Sequence, residues 1–121
     1  MKSEAIILLQ GDTTVSRNLT SALAKIFRAV YVTASLPDAV AAVIRHKASV
    51  AVMDMEIVSS GEIEQLLGEL PHLRIVCNHR LADDELWIAA LNAGAADCCL
   101  SSDTKSIVNA ALGNHGRAAA A

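Results

Sequence analysis

The sequence predicts a single α/β domain in which a parallel β-sheet is covered by helices on both faces. The 121 residues suit one domain, because single cores commonly occupy roughly 100–150 residues. Five short apolar runs recur at regular spacing, and segments with helical spacing of apolar residues separate them. The first, third and fourth runs are continuous rather than alternating, which indicates strands buried on both faces. The predicted strands cover residues 5–9, 29–32, 49–53, 73–77 and 98–100.

Each predicted strand is followed by a segment with the signals of an α-helix. Apolar residues from Val15 to Ile26 form one stripe and predict a first helix over 14–27. Pro37 lies in the first turn of the second helix, Pro71 ends the third, and Gly94 closes the fourth. The second to fifth helices are expected over 35–46, 63–70, 83–93 and 103–112. Strands that alternate with helices imply right-handed crossovers and a parallel sheet.

The composition excludes several classes of function. The net charge is −3 and only Phe27, Tyr31 and Trp87 are aromatic, so neither an electrostatic nor a stacking surface for nucleic acid is expected. No run approaches the ~20 apolar residues of a membrane span, and the short N-terminal apolar run has no cleavage-site pattern. Three cysteines without a CxxC spacing argue against zinc and predict reduced thiols, hence a cytoplasmic location.

The domain is expected to cover residues 1–113. Residues 114–121 are small, polar or Ala-rich and lack apolar periodicity. They predict a flexible tail, either the start of a linker or a cloning remnant.

Polar residues follow the predicted strands where the carboxyl ends of a parallel sheet would meet. In open α/β sheets, ligands collect at this edge. Asp12 follows the first strand and Asp54 ends the third, and these two strands are expected to be neighbours. The two carboxyl groups would then face one cleft and form a Mg²⁺ site. The alternative is structural, with Asp12 as a helix N-cap and Asp54 as the cap of a loop.

Three segments resemble the receiver domain of two-component response regulators. They are IILLQGDTTVSRNL at the first strand and helix, VAVMDMEIVSSGE around the end of the third strand, and ELWIAALNAGAADCCLSS at the fourth helix and fifth strand. The Ala-Leu-x-Ala-Gly-Ala-x-Asp pattern at 90–97 is the most specific, and the resemblance extends from about Ala5 to Leu112. It implies a flavodoxin-like (βα)5 three-layer sandwich with a five-stranded parallel sheet in the order 2-1-3-4-5.

The resemblance also implies roles for residues at the carboxyl edge. The phospho-accepting aspartate of the family falls on Asp54. One of its two metal-binding acids falls on Asp12 and the other on Gly11, which has no side chain. The backbone carbonyl of Glu56 would be the third metal contact. With one acid missing, Mg²⁺ is expected to bind weakly.

The positions that neutralise and report the phosphoryl group in the family also differ here. The hydroxyl residue after the fourth strand falls on Asn78 or His79, the lysine after the fifth on Ser101, and the aromatic switch on Cys98. Phosphoryl transfer depends on charge neutralisation, so the missing lysine leaves the phosphoryl oxygens uncompensated. Arg80, which follows the fourth strand, is a candidate phosphate contact, and the alternative is a solvated loop residue.

These departures predict a receiver-like signalling domain of an atypical, partly degenerate kind rather than an enzyme. It would serve a two-component phosphorelay mainly through protein–protein interaction, with phosphorylation at Asp54 impaired. Two alternatives stay open. One is a working phospho-acceptor with a non-standard active-site shell, and the other is a non-signalling flavodoxin-like binding protein.

The implied partner is a sensor histidine kinase or another signalling protein. A homodimer through the fourth helix, fifth strand and fifth helix is a further expectation. Trp87, the single tryptophan, is the predicted anchor of this interface. The alternative is that its ring covers the seam between helix and sheet. Neither nucleic acid nor a membrane is an expected partner.

Overall fold

The computed structural model describes residues 2–113 as strictly alternating β-strands and α-helices. Met1 and the predicted tail, 114–121, lie outside the described residues. The strands are β1 (Lys2–Leu9), β2 (Phe27–Thr33), β3 (Val50–Asp54), β4 (Arg74–His79) and β5 (Asp97–Leu100). The helices are α1 (Thr13–Leu23), α2 (Leu36–His46), α3 (Ser60–Glu69), α4 (Asp84–Asn92) and α5 (Thr104–Ala111). None of these helices has the length and apolar character needed to cross a membrane.

The strands form one parallel sheet in the order β2-β1-β3-β4-β5, which confirms the predicted fold class. Leu8 in β1 pairs with Val32 on one side and with Val52 in β3 on the other. Asp54, the last residue of β3, pairs with Asn78 in β4. The strand order reverses between β1 and β3, so their carboxyl ends open the crevice at which sheets of this kind place ligands.

Helices cover both faces of the sheet, and the side chains of each strand alternate between two apolar clusters. In β1, Ile6 and Leu8 face the cluster shared with α1 and α5. Ile7 and Leu9 face the cluster shared with α2, α3 and α4. All four side chains are fully buried, and burial of each stabilises the fold by about 1.5–3 kcal/mol. The continuous apolar run of β1 is thus explained by burial on both faces.

The first helix is shorter than predicted, and the second strand begins earlier. α1 ends at Leu23, and Phe27 is the first residue of β2 rather than the last of the helix. A turn closed by a hydrogen bond from Ile26 N to Leu23 O separates the two elements. Phe27 is buried in the cluster under α1 and α5, a position that one more turn of helix would not give it. The helical stripe was misleading because Ile26 packs against the same cluster from the turn.

A short polar side chain caps the N-terminus of every helix. Each accepts a hydrogen bond from a backbone N–H of the first turn, and such a cap is worth about 1 kcal/mol. At α3 the capping is reciprocal, because Glu62 also accepts the backbone N–H of its cap. The caps hold the loops that follow the strands close to the carboxyl edge of the sheet. They are Asp12, Ser35, Ser59, Asp83 and Asp103.

Candidate functional site

The polar side chains at the carboxyl edge lie at one level of the sheet. Leu9 pairs with Met53 and Asp54 pairs with Asn78, so the residue after β1, Gln10, comes level with Asp54. These side chains follow the phase of the apolar residues that face α1 and α5. The sheet therefore brings Gln10, Asp54 and Asn78 together from three neighbouring strands.

A network of uncharged side chains spans this edge. Gln10 Nε2 donates to Asn78 Oδ1 at 2.8 Å, and Asn78 Nδ2 donates back to Gln10 Oε1 at 2.9 Å. Asn78 Nδ2 also donates to Ser101 Oγ at 2.7 Å. Asn78 is fully buried and Ser101 nearly so, so these bonds supply partners that water cannot. We call Gln10, Asn78 and Ser101 the amide row. It joins β1 to β4 across the end of β3, and β4 to the residue that follows β5.

Sequence reasoning assigned no role to Gln10, although its position held a signal. It is the first polar residue after an apolar strand and keeps the phase of Ile6 and Leu8. Its partner Asn78 is 68 residues away in the chain, so the pairing depends on the order of the strands.

Asp54 is buried at the floor of the crevice, and its carboxyl group is held by backbone amides. Its Oδ2 accepts the N–H of Gly11 at 3.0 Å, and its Oδ1 accepts the N–H of Glu56 at 2.9 Å. The residue is 4% exposed. Each carboxyl oxygen thus has a hydrogen-bond donor from the main chain, which offsets the cost of burying the group.

Asp12 lines the same pocket as Asp54, but its carboxyl group caps the N-terminus of α1. Its Oδ1 accepts the N–H of Thr14 at 2.7 Å and that of Val15 at 3.1 Å. The side chain is exposed at the start of α1. The pocket, of about 320 Å³, is lined by Gly11, Asp12, Asp54, Glu56, Ile57 and Arg80. The two predicted acids therefore share a cleft. The hydrogen bonds of Asp12 are those of a helix N-cap, which was the alternative to a metal ligand.

Arg80 reaches this pocket from the loop after β4, where it is paired with an acid. Its Nε lies 2.9 Å from both Oε1 and Oε2 of Glu56. The Arg80 side chain is 66% exposed, so the pair contributes at most about 1 kcal/mol. Glu56 was expected to supply a backbone carbonyl to a metal, whereas its side chain holds the one cation that lines the pocket.

The residues at this edge do not fit the Mg²⁺ ion that the resemblance implies. The two residues that follow β1 beside Asp54 are Gln10 and Gly11, whose side chains supply an amide and no group at all. A side chain at Gly11 would start 3.2 Å from Ile57 Cδ1 and 3.4 Å from Asp54 Oδ2. Within residues 2–113 no group of three or more His, Cys, Asp or Glu side chains is arranged to hold a metal ion. Mg²⁺ prefers several oxygen ligands in near-octahedral geometry, and this edge offers carboxyl groups already held by backbone amides.

The positions that correspond to the family's switch residues take up other contacts. Asn78 points into the amide row, whereas His79 turns away and accepts the N–H of Leu81 on Nδ1 at 3.0 Å. Ser101 is the end of the amide row. Cys98 is buried in the cluster under α2, α3 and α4. None of the four offers a cation or a large aromatic ring to the crevice.

Trp87 is partly buried and lies against the core rather than projecting as an exposed anchor. Its ring packs on the cluster under α2, α3 and α4, and its Nε1 is buried without a hydrogen-bond partner. The ring thus covers the seam between helix and sheet, which was the alternative to an interface anchor. The exposed apolar side chains of α4 are its neighbours Ile88 and Leu91. An interface role for Trp87 stays a prediction.

Replacing Asn78 by alanine is expected to lower the free energy of unfolding by about 2–4 kcal/mol. The change removes the buried central member of the amide row, so the partly buried Gln10 and the buried Ser101 lose their hydrogen bonds to it. Urea unfolding followed by circular dichroism measures the difference. The matched control is Asn92→Ala at the exposed end of α4, which should stay within about 0.5 kcal/mol of the native chain. Equal stability of the two variants would contradict a structural role for the row.

Solved structures similar to this chain are receiver domains of response regulators. The signal receiver domain of a Bacteroides fragilis two-component response regulator matches with a TM-score of 0.82 and 17% identity, over 93% of this chain and 97% of that one. The Salmonella typhimurium response regulator RcsB matches with a TM-score of 0.80 and 14% identity, over 95% and 63%. A Burkholderia pseudomallei response regulator with a phosphorylated aspartic acid, calcium ion and citrate matches with a TM-score of 0.80 and 18% identity, over 98% and 72%.

These likenesses establish the fold. The chain has the receiver fold of response regulators, and it spans less than two thirds of the Salmonella chain. No protein-family model and no curated protein matches it in sequence. What it does at its carboxyl edge therefore rests on its own residues.

Proposed function

We propose that this chain is a receiver-like signalling domain that acts through protein–protein contacts, with phosphorylation of Asp54 impaired. The fold supports a place in two-component signalling. The observation that carries the atypical character is the amide row, which occupies the carboxyl edge with uncharged groups beside the buried Asp54. A receiver that is not phosphorylated can signal only through its surface, so contact with another protein becomes its mode of action.

The chemistry of phosphoryl transfer supports the impairment. The reaction needs an in-line donor and cationic groups that neutralise charge on the phosphoryl oxygens. Ser101 supplies no cation, Gly11 supplies no carboxyl group, and Arg80 is paired with Glu56. Loss of one charge-assisted hydrogen bond costs about 1.5–3 kcal/mol, which is roughly a 10- to 150-fold loss of rate. Losing an acid and a lysine together makes Asp54 a poor acceptor.

The partner in this proposal is a sensor histidine kinase or another signalling protein, or a second copy of the chain. The exposed apolar residues of α4, Ile88 and Leu91, and the loop residue Leu81 before it support a contact surface at α4, β5 and α5. All three cysteines are unpaired, which suits a reducing cytoplasm. The chain has no catalytic role of its own in this proposal.

A working phospho-acceptor is the second candidate, and one observation favours it. Asp54 lines an open pocket that Arg80 also lines, so a guanidinium lies within the same crevice. Release of Arg80 from Glu56 would offer two parallel N–H donors to a phosphoryl group. The Burkholderia structure of the same fold carries a phosphorylated aspartic acid.

Incubation with a small phosphodonor and Mg²⁺ separates the two candidates. We expect no mass increase for a phosphoryl group in the intact protein and no change in its amide NMR spectrum beyond that of an Asp54→Asn control. Rapid stoichiometric modification that disappears in Asp54→Asn, with shifts spreading into α4 and α5, would establish the working receiver instead. A beryllium fluoride complex used in place of the phosphodonor gives the same comparison without turnover.

A further inference from the structure

An open groove runs between α2 and α3 on the side of the domain away from the amide row. Its volume is about 580 Å³. α3 packs more closely against α4 than against α2, which leaves the space between α2 and α3 open. Both helices contain about three turns, so the groove is roughly 15 Å long.

The floor of the groove is apolar. Leu36, Val40 and Ile44 stand four residues apart on α2 and form one stripe along it. Leu66 lines the opposite side from α3. Ile44 is 61% exposed, one of the most exposed large apolar residues in the described part of the chain. Leu36 and Val40 also pack against the cluster under α2, α3 and α4, so the stripe extends the buried face of α2 outward and ends at the exposed Ile44.

One wall of the groove is acidic. Glu62 and Glu69 line it from α3, and they are the only charged residues in the lining. They are seven residues apart on the helix, which places their α-carbons about 10.5 Å from each other. α3 contains no lysine or arginine, and in the described residues no cation is paired with either glutamate. The wall therefore presents two carboxylates that are not paired with a cation beside an apolar floor, although Glu62 also accepts hydrogen bonds from Ser59.

We propose that this groove, lined by Leu36, Val40, Ile44 and Leu66 and walled by Glu62 and Glu69, docks a basic amphipathic helix of a partner protein. The partner would place apolar residues at i, i+4 and i+7 on the floor. Lysine or arginine residues seven apart would face the two glutamates. The acidic wall disfavours anionic membranes, and a groove-to-groove dimer would set the glutamates of two copies against each other. The inference goes beyond the proposed function, because it does not depend on the state of Asp54.

The test uses a synthetic helical peptide of Leu, Ala and Lys with leucines at i, i+4 and i+7 and lysines seven apart. Titration into the ¹⁵N-labelled full chain at low ionic strength should shift amides of α2 and α3, and binding should weaken with salt. A peptide with glutamate in place of lysine is the matched ligand control. Absence of shifts in α2 and α3, or equal binding of the two peptides, would overturn the proposal.

Variants of the chain locate the site. Glu62→Gln with Glu69→Gln should weaken binding about 2- to 10-fold, since each exposed pair contributes modestly. Glutamine keeps the capping contact of residue 62, so the double variant keeps its helix. Ile44→Asp should weaken binding further, whereas Ile88→Asp, equally exposed on α4, should leave it unchanged. Loss of binding in Ile88→Asp with retention in Ile44→Asp would place the docking surface on α4 and overturn the proposal.

Discussion

Replacing Gly11 by aspartate and Ser101 by lysine in the same chain is expected to raise the rate of Asp54 phosphorylation about 100- to 10,000-fold. The two changes restore an acidic group facing Asp54 and a cation at the end of β5. Each charge-assisted contact regained is worth about 1.5–3 kcal/mol, and the two act on the same phosphoryl oxygens. The rate is measured as the gain of phosphoryl mass over time with a small phosphodonor and Mg²⁺.

The local environments of the two positions differ, because Gly11 is exposed and Ser101 is buried. At position 11 the nearest atom to a new Cβ is Ile57 Cδ1, the end of a flexible side chain, so a small shift makes room. At position 101 the change removes the hydrogen bond that Asn78 donates to the serine. Each single variant and the double variant with Asp54→Asn serve as controls. A double variant as unreactive as the native chain would show that these two missing groups are not the cause of the impairment.

The three cysteines are expected to react with iodoacetamide about 100- to 1000-fold more slowly in the folded chain than in the unfolded one at pH 8. Burial raises the pKa of Cys77 from 9.0 to about 12 and that of Cys99 to about 12, with smaller contributions from neighbouring charges. Burial likewise raises the pKa of Cys98 to about 11. Only the thiolate is alkylated. A pKa that is higher by about 2–3 therefore lowers the thiolate fraction about 100- to 1000-fold. Mass spectrometry of protein quenched at intervals gives the rates.

The guanidinium-unfolded chain is the reference for this measurement, and peptide mapping assigns each site. Fast labelling of Cys98 and Cys99 in the folded chain would contradict the prediction, because it would mean that β5 opens readily at the edge of the sheet.

The same thiols predict how stability changes with pH. Below about pH 9 they are protonated in both states and do not alter the balance. Above about pH 9 the thiols of the unfolded chain lose their protons before those of the folded chain, because the pKa of a thiol is lower in the unfolded chain. The free energy of unfolding should therefore fall as the pH rises from about 9 towards 11–12. Substitution of Cys77 by alanine should reduce this pH dependence relative to the native chain, in urea unfolding measured at pH 8 and pH 10.

The topology could be predicted because each strand is marked by a short apolar run in the local sequence. Continuous apolar runs such as that of β1 need burial on both faces, and only a sheet covered by helices provides it. The position of Asp54 followed as well, since a carboxyl group that ends a buried strand must lie at the sheet edge. The N-cap Asp12 was visible in the sequence for the same local reason.

The contacts that define the site could not be predicted because they join residues that are distant in the chain. Gln10 and Asn78 meet across β3, and the sequence offers no sign that two amides would bond to each other rather than to water. The pairing of Arg80 with Glu56 depends on the paths of two loops. The position of the Trp87 ring was left open for a related reason, because helical phase alone did not decide between the surface and the seam over the core, where it lies.

A titration of the native chain with Mn²⁺ tests whether a divalent cation binds at Asp54. Binding is followed by the paramagnetic broadening of amide NMR signals. The amides of Gly11 and Glu56 donate to Asp54 and would lie within a few ångströms of a bound ion, so they report on it sensitively. We expect no selective broadening of these signals compared with exposed acidic positions such as Glu64, because the carboxyl groups at this edge are already held by backbone amides. Selective, saturable broadening at Gly11 and Glu56 that Asp54→Asn abolishes would contradict the account of this edge as an amide-filled site that does not bind a divalent cation.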